Sequence, residues 1–122
     1  MRVFLLHGLA RTAVSMAVLA HRLKKAGHRP SLFGYHVLLD SLDRIAGRFR
    51  DRVARVTAED LAAGDAEDAG EPPAYAVVGH SLGGVVARMA APGLPPGLAR
   101  LVLLASPARP PATARALREN PL

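Results

Sequence analysis

Several residue types are scarce or missing in this sequence, and each absence excludes a class of structure. The chain has no cysteine, which excludes disulfides and thiolate metal sites. It has no tryptophan and only 4% aromatic residues, which argues against a surface that stacks nucleic-acid bases. No apolar run approaches the ~18 residues of a transmembrane helix. What remains is one globular domain over residues 1–122, because half of the residues are hydrophobic and can form a core. We expect no cofactor and no metal.

The net charge of +6 allows two interpretations. A partner that carries phosphates, such as a nucleic acid, is one of them. The other is a solvated surface, which we favour because the arginines are scattered and no basic run reaches five or six residues. We therefore expect no nucleic-acid partner.

The first residues, MRVFLL, could be taken for the start of a signal peptide. His7, Gly8 and Arg11 interrupt that apolar region, and a buried strand explains the same residues. We therefore expect a cytoplasmic protein.

Strand and helix patterns alternate along the chain. Short apolar segments predict strands at residues 2–7, 31–35, 75–78 and 99–106, and apolar stripes at spacings of three and four predict helices between them. Such alternation indicates a parallel sheet of about four strands with helices on its faces, a three-layer α/β/α fold. Residues 57–74 hold six acidic residues and no basic one, which indicates an acidic, solvated connecting segment that the preceding helix can extend into. Residues 107–122 form a tail.

The segment VVGHSLGG passes from the third predicted strand into the third helix. A turn this tight needs residues without side chains on either side of Ser81, and Gly79 and Gly83 meet that need. The hydroxyl of Ser81 would then project above the sheet from a strained turn. The backbone N–H of Leu82, at the start of the helix, is the natural first donor to a developing oxyanion. A glycine-rich turn with a chance serine is the ordinary structural alternative.

Three segments, VFLLHGLART, VVGHSLGGVVAR and LVLLASP, occur in this order and together resemble the α/β-hydrolase superfamily, in its lipase and esterase branch. The resemblance covers residues 2–107. It implies that Ser81 is the nucleophile of an acyl-enzyme mechanism on esters or thioesters. It also implies that Leu9 and Leu82 supply the oxyanion N–H groups, and that His7, Gly8 and His80 shape the turn and the loop beside it.

The sequence departs from this family after the nucleophile. Family members carry a catalytic acid and then a histidine beyond the serine. Here only one carboxylate, Glu119, and no histidine follow Ser81. A position that carries the acid in some members reads Ser106 and Pro107 here, and neither can serve. We therefore expect the front portion of such a hydrolase, with weak or no turnover by itself.

No upstream histidine is a good substitute for the missing base. His80 adjoins the serine in a tight turn and should point away from it, and His7 is expected to shape the oxyanion loop. His36 follows a strand two places from the serine, about 10 Å away at ~4.8 Å per strand. The remaining two, His21 and His28, fit a helix face and a loop.

Three functions thus stay open: a serine hydrolase on small acyl esters or thioesters, a non-catalytic hydrolase-fold remnant that binds a partner, and a basic nucleic-acid-binding protein. The superfamily implies that the strands are ordered second, first, third, fourth. The fourth strand would then leave residues 101–105 at an apolar edge, where self-association is possible.

Overall fold

Four parallel strands form one sheet in a computed structural model that describes residues 1–8, 13–65 and 70–106. The strand order is β2-β1-β3-β4, as predicted. Their bounds are Arg2–Leu6 for β1, Arg29–Phe33 for β2, Tyr75–His80 for β3 and Leu98–Leu104 for β4. The two central strands are continuous runs of buried residues, as expected where helices cover both faces of a parallel sheet.

Three α-helices connect the strands: α1 is Ala17–Lys25, α2 is Leu42–Ala62 and α3 is Leu82–Ala90. The first predicted helix is less regular than expected, because a 3-10 turn at Ala13–Met16 precedes it. Local signals set the helix ends. The Ser41 hydroxyl accepts a hydrogen bond from the Arg44 N–H and caps α2, whereas Gly27 at φ 91° follows α1.

The side chains of the sheet alternate between two cores. Phe4, Leu6 and Val77 pack on one face with α2 and α3. Val3 and Leu5 pack on the other face, where Met16 and the inner side of α1 cover them. The three-layer α/β/α architecture predicted from the sequence is therefore confirmed.

The acidic segment 57–74 differs from a purely solvated connection. Its first six residues continue α2, and Asp60 is buried, with 5% of its surface exposed. Two hydrogen bonds from the Arg2 guanidinium, at 3.0 and 2.8 Å, hold the Asp60 carboxylate, and Arg29 lies 3.3 Å from it. The pKa of Asp60 is lowered, chiefly by the hydrogen bond from Arg2. This pair ties the end of α2 to β1. The tail at 107–122 lies outside the described residues.

The fourth strand is the least covered element of the sheet. Val102, Leu103 and Leu104 are 38%, 37% and 39% exposed, although all three are apolar. Among the described residues β4 pairs only with β3, so its other edge has no strand partner there. Among the described helices, none is both long enough and apolar enough to cross a membrane.

Candidate active site

Ser81 occupies the sharp turn between β3 and α3. Its backbone angles are φ 55° and ψ −119°, a conformation that side-chain-bearing residues adopt at a cost. The Ser81 N–H donates to the Leu104 carbonyl at 2.8 Å, and the Ser81 carbonyl accepts from the Gly84 N–H at 3.0 Å. The side chain makes no capping bond to α3 and is partly exposed. Its hydroxyl is therefore left for other partners.

Glycines allow this turn because the backbone segments around it nearly touch. A Cβ on Gly79 would lie 2.5 Å from the backbone N and Cα of Gly84. A Cβ on Gly83 would collide with the carbonyl oxygens of Leu6 and His7. Both positions therefore require glycine, for the steric reason that the sequence pattern indicated.

The structure adds residues to the turn that the sequence did not single out. A Cβ on Gly84 would lie 2.5 Å from the Cβ of Ser106, so the end of β4 packs against the start of α3. Ala105, just after β4, also has positive φ, at 50°. The GxSxGG pattern was a signal for Gly84. Nothing in the sequence marks the conformation of Ala105.

Contacts with Tyr35 and Gly8 hold the His7 ring in one position beside the turn. It is 2% exposed, and its ring stacks on Tyr35 with centroids 4.1 Å apart. Its Nε2 lies 3.2 Å from the Tyr35 N–H, which can only donate, so Nε2 accepts. Its Nδ1 then donates to the Gly8 carbonyl at 2.9 Å. Both ring nitrogens are occupied, and His7 cannot act as a general base in this arrangement.

Tyr35 was missed in the sequence because it lies 28 residues from its partner. Its hydroxyl donates to the His7 carbonyl at 2.5 Å, while its backbone holds the His7 ring. Burial raises the pKa of Tyr35 above its ordinary value, so the hydroxyl stays protonated and can donate.

The loop after β1 passes directly beside the serine. A Cβ on Gly8 would lie 3.3 Å from the Ser81 Cβ and 3.2 Å from Nδ1 of His80. Gly8 therefore lies against the serine turn, whereas Leu9, the second expected oxyanion donor, lies outside the described residues. On the other side, Leu82 is the first residue of α3, and its N–H has no carbonyl partner within the helix.

The structure does not complete a triad from the remaining histidines. The side chains of His80, His36 and His21 are exposed, and His28 is half-buried. Within residues 1–8, 13–65 and 70–106, no imidazole or carboxylate hydrogen-bonds to the Ser81 hydroxyl. The same residues contain no group of three or more side chains that could hold a metal ion.

Comparison with known proteins identifies the class. The model of the alpha/beta hydrolase family matches residues 3–122, and the chain belongs to that family. A solved extracellular alpha/beta-hydrolase from a Paenibacillus species, described as sharing structural and functional homology with tobacco salicylic acid binding protein 2, is similar at 20% identity and a TM-score of 0.70. That match covers 98% of this chain and 50% of the hydrolase.

A second solved structure, a variant of the protein PytH, is similar at 20% identity and a TM-score of 0.63, over 94% of this chain and 48% of PytH. At this identity both likenesses show the fold. This chain spans about half the length of these two structures. A search of curated proteins finds no match.

Proposed function

We propose that the chain carries the nucleophile and oxyanion site of a serine hydrolase that acts on carboxylic esters or thioesters. The observation that supports this most is the backbone of Ser81, which holds a positive φ of 55° between β3 and α3. Such strain persists only where the surrounding structure imposes it, and it is typical of functional sites. Family membership supports the same class of reaction.

In the proposed reaction the Ser81 oxygen attacks the acyl carbonyl carbon and the Oγ–H proton leaves for a base. The carbonyl oxygen becomes negative and accepts hydrogen bonds from the N–H groups of Leu82 and Leu9, close to the positive end of the α3 dipole. The tetrahedral intermediate then expels the alcohol or thiol, which takes a proton, and leaves an acyl group on Ser81. Water releases that acyl group in a second attack.

The proton transfers limit this reaction in the chain as it stands. Within the described residues no base contacts the Ser81 hydroxyl. Loss of a triad member typically leaves about 10³–10⁴-fold catalysis over water, supplied by the oxyanion site and by binding. We therefore expect slow acylation of Ser81 and weak or undetectable turnover.

A fluorophosphonate probe tests the nucleophile directly, because it reacts with activated serines and needs no deacylation. Because no described base contacts the Ser81 hydroxyl, we expect slow labelling of one site during a long incubation, and the change Ser81→Ala should abolish it. The matched control is Ser31→Ala in β2, which removes a serine hydroxyl outside the turn and should leave labelling unchanged. A folded chain without labelling at Ser81 would contradict the proposal. Activity should be assayed on short acyl esters, thioesters and one salicylate ester, the last because the Paenibacillus hydrolase is described as homologous to a salicylic acid binding protein.

A second candidate is a non-catalytic module that binds a partner or a second copy through β4. The exposed apolar side chains of Val102, Leu103 and Leu104 favour it. Sedimentation equilibrium tests self-association: Leu103→Lys should weaken it, whereas Leu38→Lys, at a separate residue that is 69% exposed, should not. A monomer at every concentration would exclude the second copy as partner.

We also propose that the protein stays in the cytoplasm and does not bind nucleic acid. The structure bears on the first of these statements. Arg2–Leu6 forms β1, one of the two central strands, and its Phe4, Leu5 and Leu6 are fully buried. Cleavage of a leader that included this segment would remove the middle of the sheet. Cell fractionation and salt-dependent retention on DNA test the two statements.

A further inference from the structure

A cavity of about 320 Å³ lies on the surface of α2, and none of the residues that line it belongs to the serine turn. Its lining residues are Phe33 at the end of β2, and Arg48, Asp51, Arg52 and Arg55 of α2. The helical residues are spaced by three, one and three positions, which places them on one side of α2. The cavity is therefore a pocket between that side of the helix and the β2 edge of the sheet.

The charges around this cavity are unbalanced. Three guanidinium groups face one carboxylate. Arg48 also pairs with Asp40 at 3.1 Å, but within the part of the chain that the structure describes neither Arg52 nor Arg55 has an ion pair. Like charges at helical spacings of three and four repel each other. An anion in the cavity would relieve that repulsion.

One donor in the cavity wall lacks an acceptor. The Nε of Arg52 is shielded from solvent and makes no hydrogen bond with the described residues. A buried charged donor without an acceptor is costly, and such groups normally find a partner. Arg52 lines the cavity, and a rotation of its guanidinium toward an anion there would give the Nε an oxygen acceptor.

From the cavity, the charge imbalance and this orphan donor, we propose that the α2 cavity binds the phosphate group of a small phosphate monoester. The planar fork of a guanidinium donates two parallel hydrogen bonds to a phosphate, and two such forks would neutralise its double charge. Asp51 would accept a hydrogen bond from a hydroxyl of the organic part, and Phe33 provides an apolar wall. This site is independent of Ser81 and of the proposed hydrolase activity.

The test is an NMR titration of the whole chain with glycerol 3-phosphate and with inorganic phosphate, at constant ionic strength maintained with sodium chloride. We expect saturable shifts of backbone amides in α2, with glycerol 3-phosphate bound more tightly. Loss of a charge-assisted hydrogen bond should weaken binding about tenfold or more in Arg52→Gln and in Arg55→Gln. Arg52→Lys, which keeps the charge but loses the Nε donor, should weaken it as well.

The matched control is Arg22→Gln on α1, which removes the same charge from another exposed helix and should bind as the unchanged chain does. If Arg52→Gln does not fold, the titrations of Arg55→Gln and of the unchanged chain still test whether the cavity binds the phosphate group. Absence of saturable shifts, equal weakening in Arg22→Gln, or full affinity in Arg52→Lys would overturn the site. Equal affinity for inorganic phosphate, or displacement by duplex DNA, would overturn the monoester assignment. Ser81→Ala should bind unchanged.

Discussion

Replacing Ser81 by glycine should stabilise the protein. At φ 55° and ψ −119°, Ser81 holds a conformation that costs a side-chain-bearing residue about 1–3 kcal/mol and that glycine reaches freely. Glycine also gives the unfolded chain more freedom, which costs about 0.4–1 kcal/mol. The Ser81 side chain makes no capping bond to α3, so its loss removes no such stabilisation. We expect Ser81→Gly to be more stable than Ser81→Ala by about 1 kcal/mol, or ~4 °C in Tm.

The assay is urea and thermal unfolding of both variants beside the unchanged chain. Ser81→Ala keeps the Cβ and therefore the strain, so it should match the unchanged chain, while both variants lose fluorophosphonate labelling. The same chemical change in a regular strand, Ser31→Gly, should destabilise by about 0.5–1 kcal/mol. If Ser81→Gly loses stability as Ser31→Gly does, the turn stores no strain and the reasoning that links its geometry to function fails.

Three further changes test the site and its support. Gly79→Ala should cost about 1–3 kcal/mol, since its Cβ would lie 2.5 Å from α3 backbone that cannot easily move. Asp60→Asn should cost about 1–3 kcal/mol at pH 7 through the lost bonds to Arg2. Because the folded pKa of Asp60 is lowered, its contribution is present above the unfolded pKa of about 3.9 and disappears as pH falls through the folded value. Tyr35→Phe should cost about 1–3 kcal/mol and slow labelling of Ser81, because the buried His7 carbonyl loses its donor.

Each of these changes has a matched control, measured by urea unfolding. Gly47→Ala in α2 has room for a Cβ, with its nearest neighbour at 3.8 Å, and should be neutral or stabilising. Asp65→Asn alters a more exposed carboxylate of the same network and should cost less than Asp60→Asn. Tyr75→Phe removes a hydroxyl bond to the Pro95 carbonyl and should leave labelling unchanged. Equal slowing of labelling by both tyrosine changes would contradict a specific role for Tyr35.

Much of the fold was predictable because its signals are local. The apolar runs predicted the four strands, and the apolar stripes predicted the helices between them. The turn at Ser81 was predictable for the same reason, since Ser81 and the glycines that the turn requires lie within the segment from Gly79 to Gly84. The 3-10 start of the first helix carries no such signal, and its last residue, Met16, packs on the sheet.

Contacts between distant residues were not predictable. Asp60 appeared to be one of six acidic residues in a solvated segment, but Arg2, 58 positions away, draws it into the structure. Tyr35 carries no pattern that would pair it with His7. The sequence favoured a structural role for His7 over that of a base, but it did not show the two hydrogen bonds that occupy both ring nitrogens.

In the proposed reaction, the geometry of the Ser81 turn and the removal of the Ser81 proton depend on different parts of the structure. The turn is held by close packing of backbone at its glycines and by the hydrogen bond from the Ser81 N–H to the Leu104 carbonyl. All of these contacts lie within the described residues. None of these contacts requires an acid or a base, so the strained serine and the helix N-terminus beside it form without them. In the proposed reaction, removal of the Ser81 proton needs a base that none of these contacts supplies. The strain of the turn and the rate of turnover should therefore respond separately to mutation. Changes in the turn should abolish both labelling and turnover. Supplying a base should raise turnover without altering the stability difference between Ser81→Gly and Ser81→Ala.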